Sequence, residues 1–213
     1  MRTQLVATPS GPLRLDWFDA SHARAVVAVG HGSATGVEAG DLRALANALP
    51  AAGFTVALIT YPYRLTGRAE GREPSALDEA FAAAFPELAS ASLPVVAGGR
   101  SAGAQVACRV GRKLGAAGVL ALAYPILGPG SAHELLATGL QYLVVQGTND
   151  PFGAPVDFPD LGPDGRLLTI SGAAHMLRSP GSRPPFQPVV DATLTWLTDD
   201  LLRPRTYPAP PTP

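Results

Sequence analysis

The sequence predicts a single-domain α/β fold, a mostly parallel, doubly wound sheet with helices on both faces. Three features predict it: short runs of continuous apolar residues, helical patterns between them, and small or polar residues gathered just after the runs. The runs are AVVAVG from Ala25, FTVALITY from Phe54, LPVVAG from Leu93, GVLALAYP from Gly118, YLVVQG from Tyr142 and RLLTIS from Arg166. Continuous apolar runs suit strands buried on both faces of a parallel sheet. Strands alternating with helices imply right-handed crossovers.

The remaining elements follow in chain order. TQLVAT and LRLDWF flank Pro9-Ser10-Gly11-Pro12, the pattern of a hairpin added at one sheet edge. Asp41 is placed to cap a helix that carries Leu42, Leu45 and Leu49 on one face. Pro74 to Asp78 forms a near capping box, opening a helix with Leu77, Phe81 and Phe85. After Ser101, Val106, Val110 and Leu114 continue at i+4 spacing, and Gly115 marks a stop. From about Pro188 a last helix aligns Val190, Leu194, Leu197 and Leu201 against Asp191, Thr195 and Asp199, and is expected to cover one face of the sheet. One domain is expected over residues 1–203, with the Pro-rich residues 204–213 a disordered tail.

Composition narrows the function classes. A chain of 213 residues suits one domain with a large core. At 46% hydrophobic and 15% charged it is apolar enough to fold, and a net charge of −1 argues against an electrostatic nucleic-acid binder. MRTQLVATPSGPLRLDW lacks the apolar region of a signal peptide, and no later run reaches the length of a membrane span. A soluble, cytoplasmic protein, monomer or homodimer, is expected, with neither membrane nor nucleic acid as partner. Cys108, the single cysteine, precludes an internal disulfide and is expected to be a small buried hydrophobe. No Cys/His cluster has metal-ligand spacing, and HGSATG lacks the Gly-Lys-Ser/Thr ending of a phosphate loop, so neither metal nor organic cofactor is expected.

In an open α/β sheet, ligands bind beyond the carboxyl ends of the strands. Those ends present His31-Gly32-Ser33, Gly99-Arg100-Ser101-Ala102-Gly103, Thr148-Asn149-Asp150 and Gly172-Ala173-Ala174-His175. A serine, an aspartate and a histidine thus occur in that chain order. Small residues crowd Ser101 because a sharp strand-to-helix turn demands close backbone approach. A serine hydroxyl must lose its proton as it attacks, and His175, with a reference pKa near ~6.5, is the candidate base. Asp150 would hold the imidazole in the right tautomer, with Asp157 and Asp160 as alternatives for the acid. The backbone N–H groups of Ala102 and Ser33 would receive the charge developing on the substrate oxygen. His31 is expected to orient that loop, and His22 and His133 fall in surface segments without a role.

GGRSAG, with HGSATG, QGTNDPFG and GAAH, resembles the α/β-hydrolase superfamily, whose nucleophile elbow carries G-x-S-x-G. The likeness is to small members without a large lid. These are similar to the dienelactone-hydrolase-like branch and, more closely, to the hydrolase-like domain of testis-expressed proteins and of a nonspecific-lethal chromatin-complex subunit. YPYRLTGRAEGREP also resembles that second group, and the likeness spans roughly Ala25 to Leu202. Dienelactone hydrolases proper have a cysteine where this chain has Ser101. The resemblance implies Ser101 as nucleophile, Asp150 as acid, His175 as base, and Ser33 and Ala102 as oxyanion donors.

The expected activity is hydrolysis of a small carboxylic ester or thioester through an acyl-enzyme. Two other readings share the fold: a catalytically silent module that binds a protein or metabolite, and an acyltransferase using the same nucleophile. Arg64, Arg68 and Arg72 follow the strand ending at Tyr61, near the expected rim, where an arginine would bind a substrate carboxylate or phosphate. The alternative is solvated charge paired with Glu70 and Glu73. Arg64, Tyr63 and Met176 are the expected substrate contacts.

Overall fold

Every apolar run becomes a strand of one sheet, in a computed structural model that describes residues 1–67 and 71–202. A hairpin of β1 (Arg2–Thr8) and β2 (Gly11–Phe18) precedes β3 (Ala25–Gly30), β4 (Phe54–Thr60) and β5 (Val95–Arg100). Then come β6 (Gly118–Leu122), β7 (Tyr142–Gly147) and β8 (Gly165–Ile170). The spatial order is β1-β2-β4-β3-β5-β6-β7-β8. β2 pairs antiparallel with β1 and β4, while the strands from β4 to β8 run parallel. The hairpin therefore extends one edge, as its turn residues implied. β5 begins two residues later than the run LPVVAG suggests, because Pro94 has no N–H to give the ladder.

Helices α1 (Gly40–Ala48), α2 (Pro62–Thr66), α3 (Pro74–Leu88), α4 (Ala102–Leu114), α5 (Ser131–Leu136) and α6 (Gln187–Thr195) complete the single domain. Two apolar cores form, one on each face of the sheet. Leu77, Phe81 and Phe85 of α3 pack with Val106 of α4 and Tyr124 on one face. Leu42 and Leu45 of α1 pack with Val189, Val190, Trp196 and Leu197 on the other. Each such side chain contributes about 1.5–3 kcal/mol by leaving water. The last helix widens into π-helical turns over Trp196–Leu201, and its buried face is wider than the expected stripe, taking in Trp196 and Thr193. Among the described residues, the only helix between β6 and β7 is the six-residue α5, and no inserted lid lies between these strands.

Two expected caps do not form. Asp41 lies inside α1, after Gly40, where its Oδ1 accepts the Leu42 N–H at 2.9 Å and its Oδ2 faces Arg100. At α3 the N-cap is Glu73 with Pro74 in the first helical position, and Asp78 pairs with Arg109 in place of a capping box. In both, a cation on a neighbouring element competes for the carboxylate. The tail 204–213 lies outside the described residues, as do Arg68 and Glu70.

Register places the site. Gly30 of β3 is level with Gly99 of β5, and Gly147 of β7 with Ile170 of β8. The loops after these strands therefore leave the sheet side by side. At the turn from β5 into α4, a Cβ on Gly99 would stand 2.4 Å from the Gly103 carbonyl carbon, and one on Gly103 would stand 2.5 Å from the Gly30 oxygen. Only glycine lets α4 return this close to its own strand and to β3.

Candidate active site

Ser101 occupies that turn at φ 54°, ψ −117°, a backbone that costs a non-glycine residue about 1–3 kcal/mol. The surroundings hold it there. Its N–H donates to the Leu122 carbonyl at 2.9 Å, and its own carbonyl accepts from the N–H groups of Ala104 at 2.9 Å and Gln105 at 3.2 Å. Ser101 thus caps a 13-residue helix whose positive end favours negative charge beside the serine.

Asp150 follows β7 and His175 follows β8. The imidazole Nδ1 lies 2.8 Å from Asp150 Oδ2 and 3.1 Å from Oδ1. An ionised carboxylate only accepts, so Nδ1 carries the proton and Nε2 is left as the basic nitrogen. Asp150 is buried, and it also accepts from Gln146 Nε2 at 3.0 Å and the Phe152 N–H at 2.9 Å. These donors offset the carboxylate's desolvation and fix its direction. Asp157 and Asp160 accept instead from the local N–H groups of Ala154 and Gly162. The Phe152 ring lies against the imidazole, the centroids 4.5 Å apart and the planes tilted by 58°.

Ser33, Ser101, Ala102, Phe152, His175 and Met176 line one cavity of about 310 Å³. Among the described residues, neither the Ser33 nor the Ala102 N–H donates to a protein acceptor. The Ser101 hydroxyl and the imidazole share the cavity without a hydrogen bond between them; in sites of this kind such bonds tighten only when substrate binds. Tyr63 and Arg64 are not among its described lining residues. Tyr63 is buried against His31, and Arg64 pairs at 3.1 Å with Glu38 at the surface. Arg72 stacks over the Tyr63 ring.

His31 is buried behind the Ser33 loop. Its Nε2 accepts the Tyr61 N–H at 3.1 Å, so Nδ1 bears the proton and donates to the Gly32 carbonyl at 2.8 Å. Burial holds its pKa below the ordinary imidazole value. A neutral His31 thereby ties the loop after β3 to the start of the loop after β4.

Sequence reasoning missed three participants. Gln146 is hidden in the apolar run YLVVQG, and Phe152 reads as an ordinary turn residue. Arg100 sits in the variable position before the serine, and it is buried and pairs with Asp41 at 3.1 Å. Burial raises the Asp41 carboxyl above its usual range, with the Arg100 charge opposing.

An open sheet without a lid, a serine at positive φ on the strand-to-helix turn, and an Asp–His pair beyond later strands define the lidless α/β-hydrolase class. The chain belongs to the α/β-hydrolase family: the family model described as "Alpha/beta hydrolase domain" matches residues 23–183. An α/β serine hydrolase homologue from Coxiella burnetii superposes with TM-score 0.76 at 16% identity, covering 92% of this chain and 97% of its own. A serine hydrolase without lid from Xanthomonas campestris gives 0.71 at 17%, covering 91% of each chain. A dienelactone hydrolase from Anabaena variabilis gives 0.71 at 20%, covering 92% and 95%. At such identities the likeness is one of fold. No curated protein matches the sequence.

Proposed function

We propose that the protein is a serine hydrolase that cleaves small carboxylic esters or thioesters through an acyl-enzyme. The observation that carries this reading is the cavity in which a positive-φ serine meets an imidazole whose far nitrogen is anchored on a buried carboxylate. Ser101 Oγ attacks the carbonyl carbon while His175 Nε2 takes the hydroxyl proton. Asp150 keeps the imidazole in its Nδ1–H tautomer and stabilises the imidazolium. The Ser33 and Ala102 N–H groups receive the oxyanion at the start of α4. His175 then passes the proton to the departing oxygen or sulfur, and water attacks the acyl-enzyme by the same route in reverse. A cavity of about 310 Å³ lies at the small end of ligand pockets, which favours short acyl groups.

The test is hydrolysis of p-nitrophenyl acetate and of short-chain acyl thioesters. Ser101→Ala is expected to lower kcat by roughly 10⁴-fold or more. Activity within about tenfold of wild type would show that another group does the chemistry.

A further inference from the structure

The hydrolase chemistry makes no use of Arg100 and Asp41, although they stand directly behind it. Arg100 ends β5 and is bonded to Ser101 through the chain. Its side chain is 2% exposed and that of Asp41 0%. Nε faces Asp41 Oδ2 on α1 at 3.1 Å, an ion pair whose alignment falls short of a hydrogen bond. Nη1 donates to Thr35 Oγ1 at 3.2 Å, two residues beyond Ser33. Nη2 donates to the His175 carbonyl at 2.7 Å and contacts Met176 Sδ at 3.1 Å. Among the described residues, no backbone N–H donates to the His175 carbonyl. One planar group thus touches α1, the loop after β3 and the loop after β8 while standing next to the nucleophile.

Stability alone gives a weak reason for this arrangement. A buried ion pair barely recovers its desolvation, and apolar residues of the same volume often do as well. What such residues cannot supply is the fixed fork of donors with which a guanidinium meets several acceptors at once. The loop carrying His175 also turns through Leu177 at φ 52°, a strained backbone that needs holding from outside.

We propose that Arg100, itself held by Asp41, is a positioning residue that sets the backbone of His175 against the Ser101 turn. The proposal rests on the hydrolase reading only for what His175 then does. Arg100→Lys keeps a cation for Asp41 but loses the fork. It is expected to lower kcat by about 100-fold, as angstrom-scale misplacement does, with KM within about threefold. The pH profile of kcat/KM is expected to move with it.

A second readout needs no activity: the ring Cε1–H cross-peak of His175 in ¹³C-labelled protein, assigned by its loss in His175→Gln. In Arg100→Lys this peak is expected to shift or broaden. If the lysine variant does not fold, Arg100→Gln combined with Asp41→Asn removes both buried charges and serves in its place. An unmoved His175 cross-peak in a folded variant would overturn the proposal. Wild-type protein without esterase activity would overturn the hydrolase reading instead, and the cross-peak would still decide the role of Arg100.

Discussion

His31 and His175 both follow strands at the same edge of the sheet, yet their chemistry differs because of what each nitrogen touches. His31 has both nitrogens engaged, Nε2 by the Tyr61 N–H and Nδ1 by the Gly32 carbonyl, with the rings of Tyr61 and Tyr63 edge-on at 5.1 and 5.6 Å. His175 has Nδ1 anchored on Asp150 and, among the described residues, no protein partner on Nε2. A general base needs one nitrogen held and the other open to the proton it will take. A strand-end position supplies neither condition by itself. The lesson extends to arginines: Arg100 and Arg64 each lie 3.1 Å from a carboxylate, but only the first is buried where geometry matters.

The sharpest test of this contrast is His175→Gln, which removes the open nitrogen. It is expected to lower kcat by roughly 10⁴-fold or more on p-nitrophenyl acetate, while the urea midpoint stays near wild type. Asp150→Asn leaves the shape but favours the wrong tautomer, and roughly 10⁴-fold is again expected in kcat. If the two variants lost less than about tenfold, the base would have to be sought elsewhere.

His31→Leu should act on stability first. It leaves the buried Tyr61 N–H without its partner, at about 1–3 kcal/mol, and the Gly32 carbonyl with only the Tyr63 hydroxyl at 3.4 Å, read by urea unfolding. The same residue sets a pH dependence. Folding holds its pKa below 6.5, so the unfolded chain binds the proton more readily than the native one. His31 therefore costs nothing above that value, and stability falls as pH drops below it toward the lower native pKa. Midpoints of wild type and His31→Leu measured from about pH 7.5 to 5 should converge as the pH falls. Parallel curves would mean that another group titrates.

Arg64→Ala is the smallest change expected. Its pair with Glu38 is exposed on both sides, so stability should move by no more than about 0.5 kcal/mol. Rates on neutral and anionic esters should stay within about twofold of wild type. A selective loss on anionic esters would bring Arg64 to the substrate after all.

Much of the fold and of the site was legible because it is local in sequence. Apolar runs with Gly, Pro or helical patterns between them mark strands whatever the neighbours, and the small residues around Ser101 announce a turn that only they can make. That the candidate Ser, Asp and His would gather at one end of the sheet needed only the rule that sites lie at carboxyl edges. What escaped was decided by partners far along the chain. Asp41 looks like a cap until Arg100, distant in sequence, folds over it. Asp78 looks like half of a capping box until Arg109 arrives from α4. Gln146 looks like the polar end of a strand until Asp150 turns back to it. The five-residue α2 carried a signal that went unused, Pro62 in a first helical turn, and Arg64 on this helix pairs with Glu38.

An activated Ser101 would react with a fluorophosphonate probe, read by intact-protein mass spectrometry. One adduct per chain is expected on wild-type protein and none on Ser101→Ala. Folded wild-type protein that takes up no probe, or a Ser101→Ala variant labelled like wild type, would contradict it.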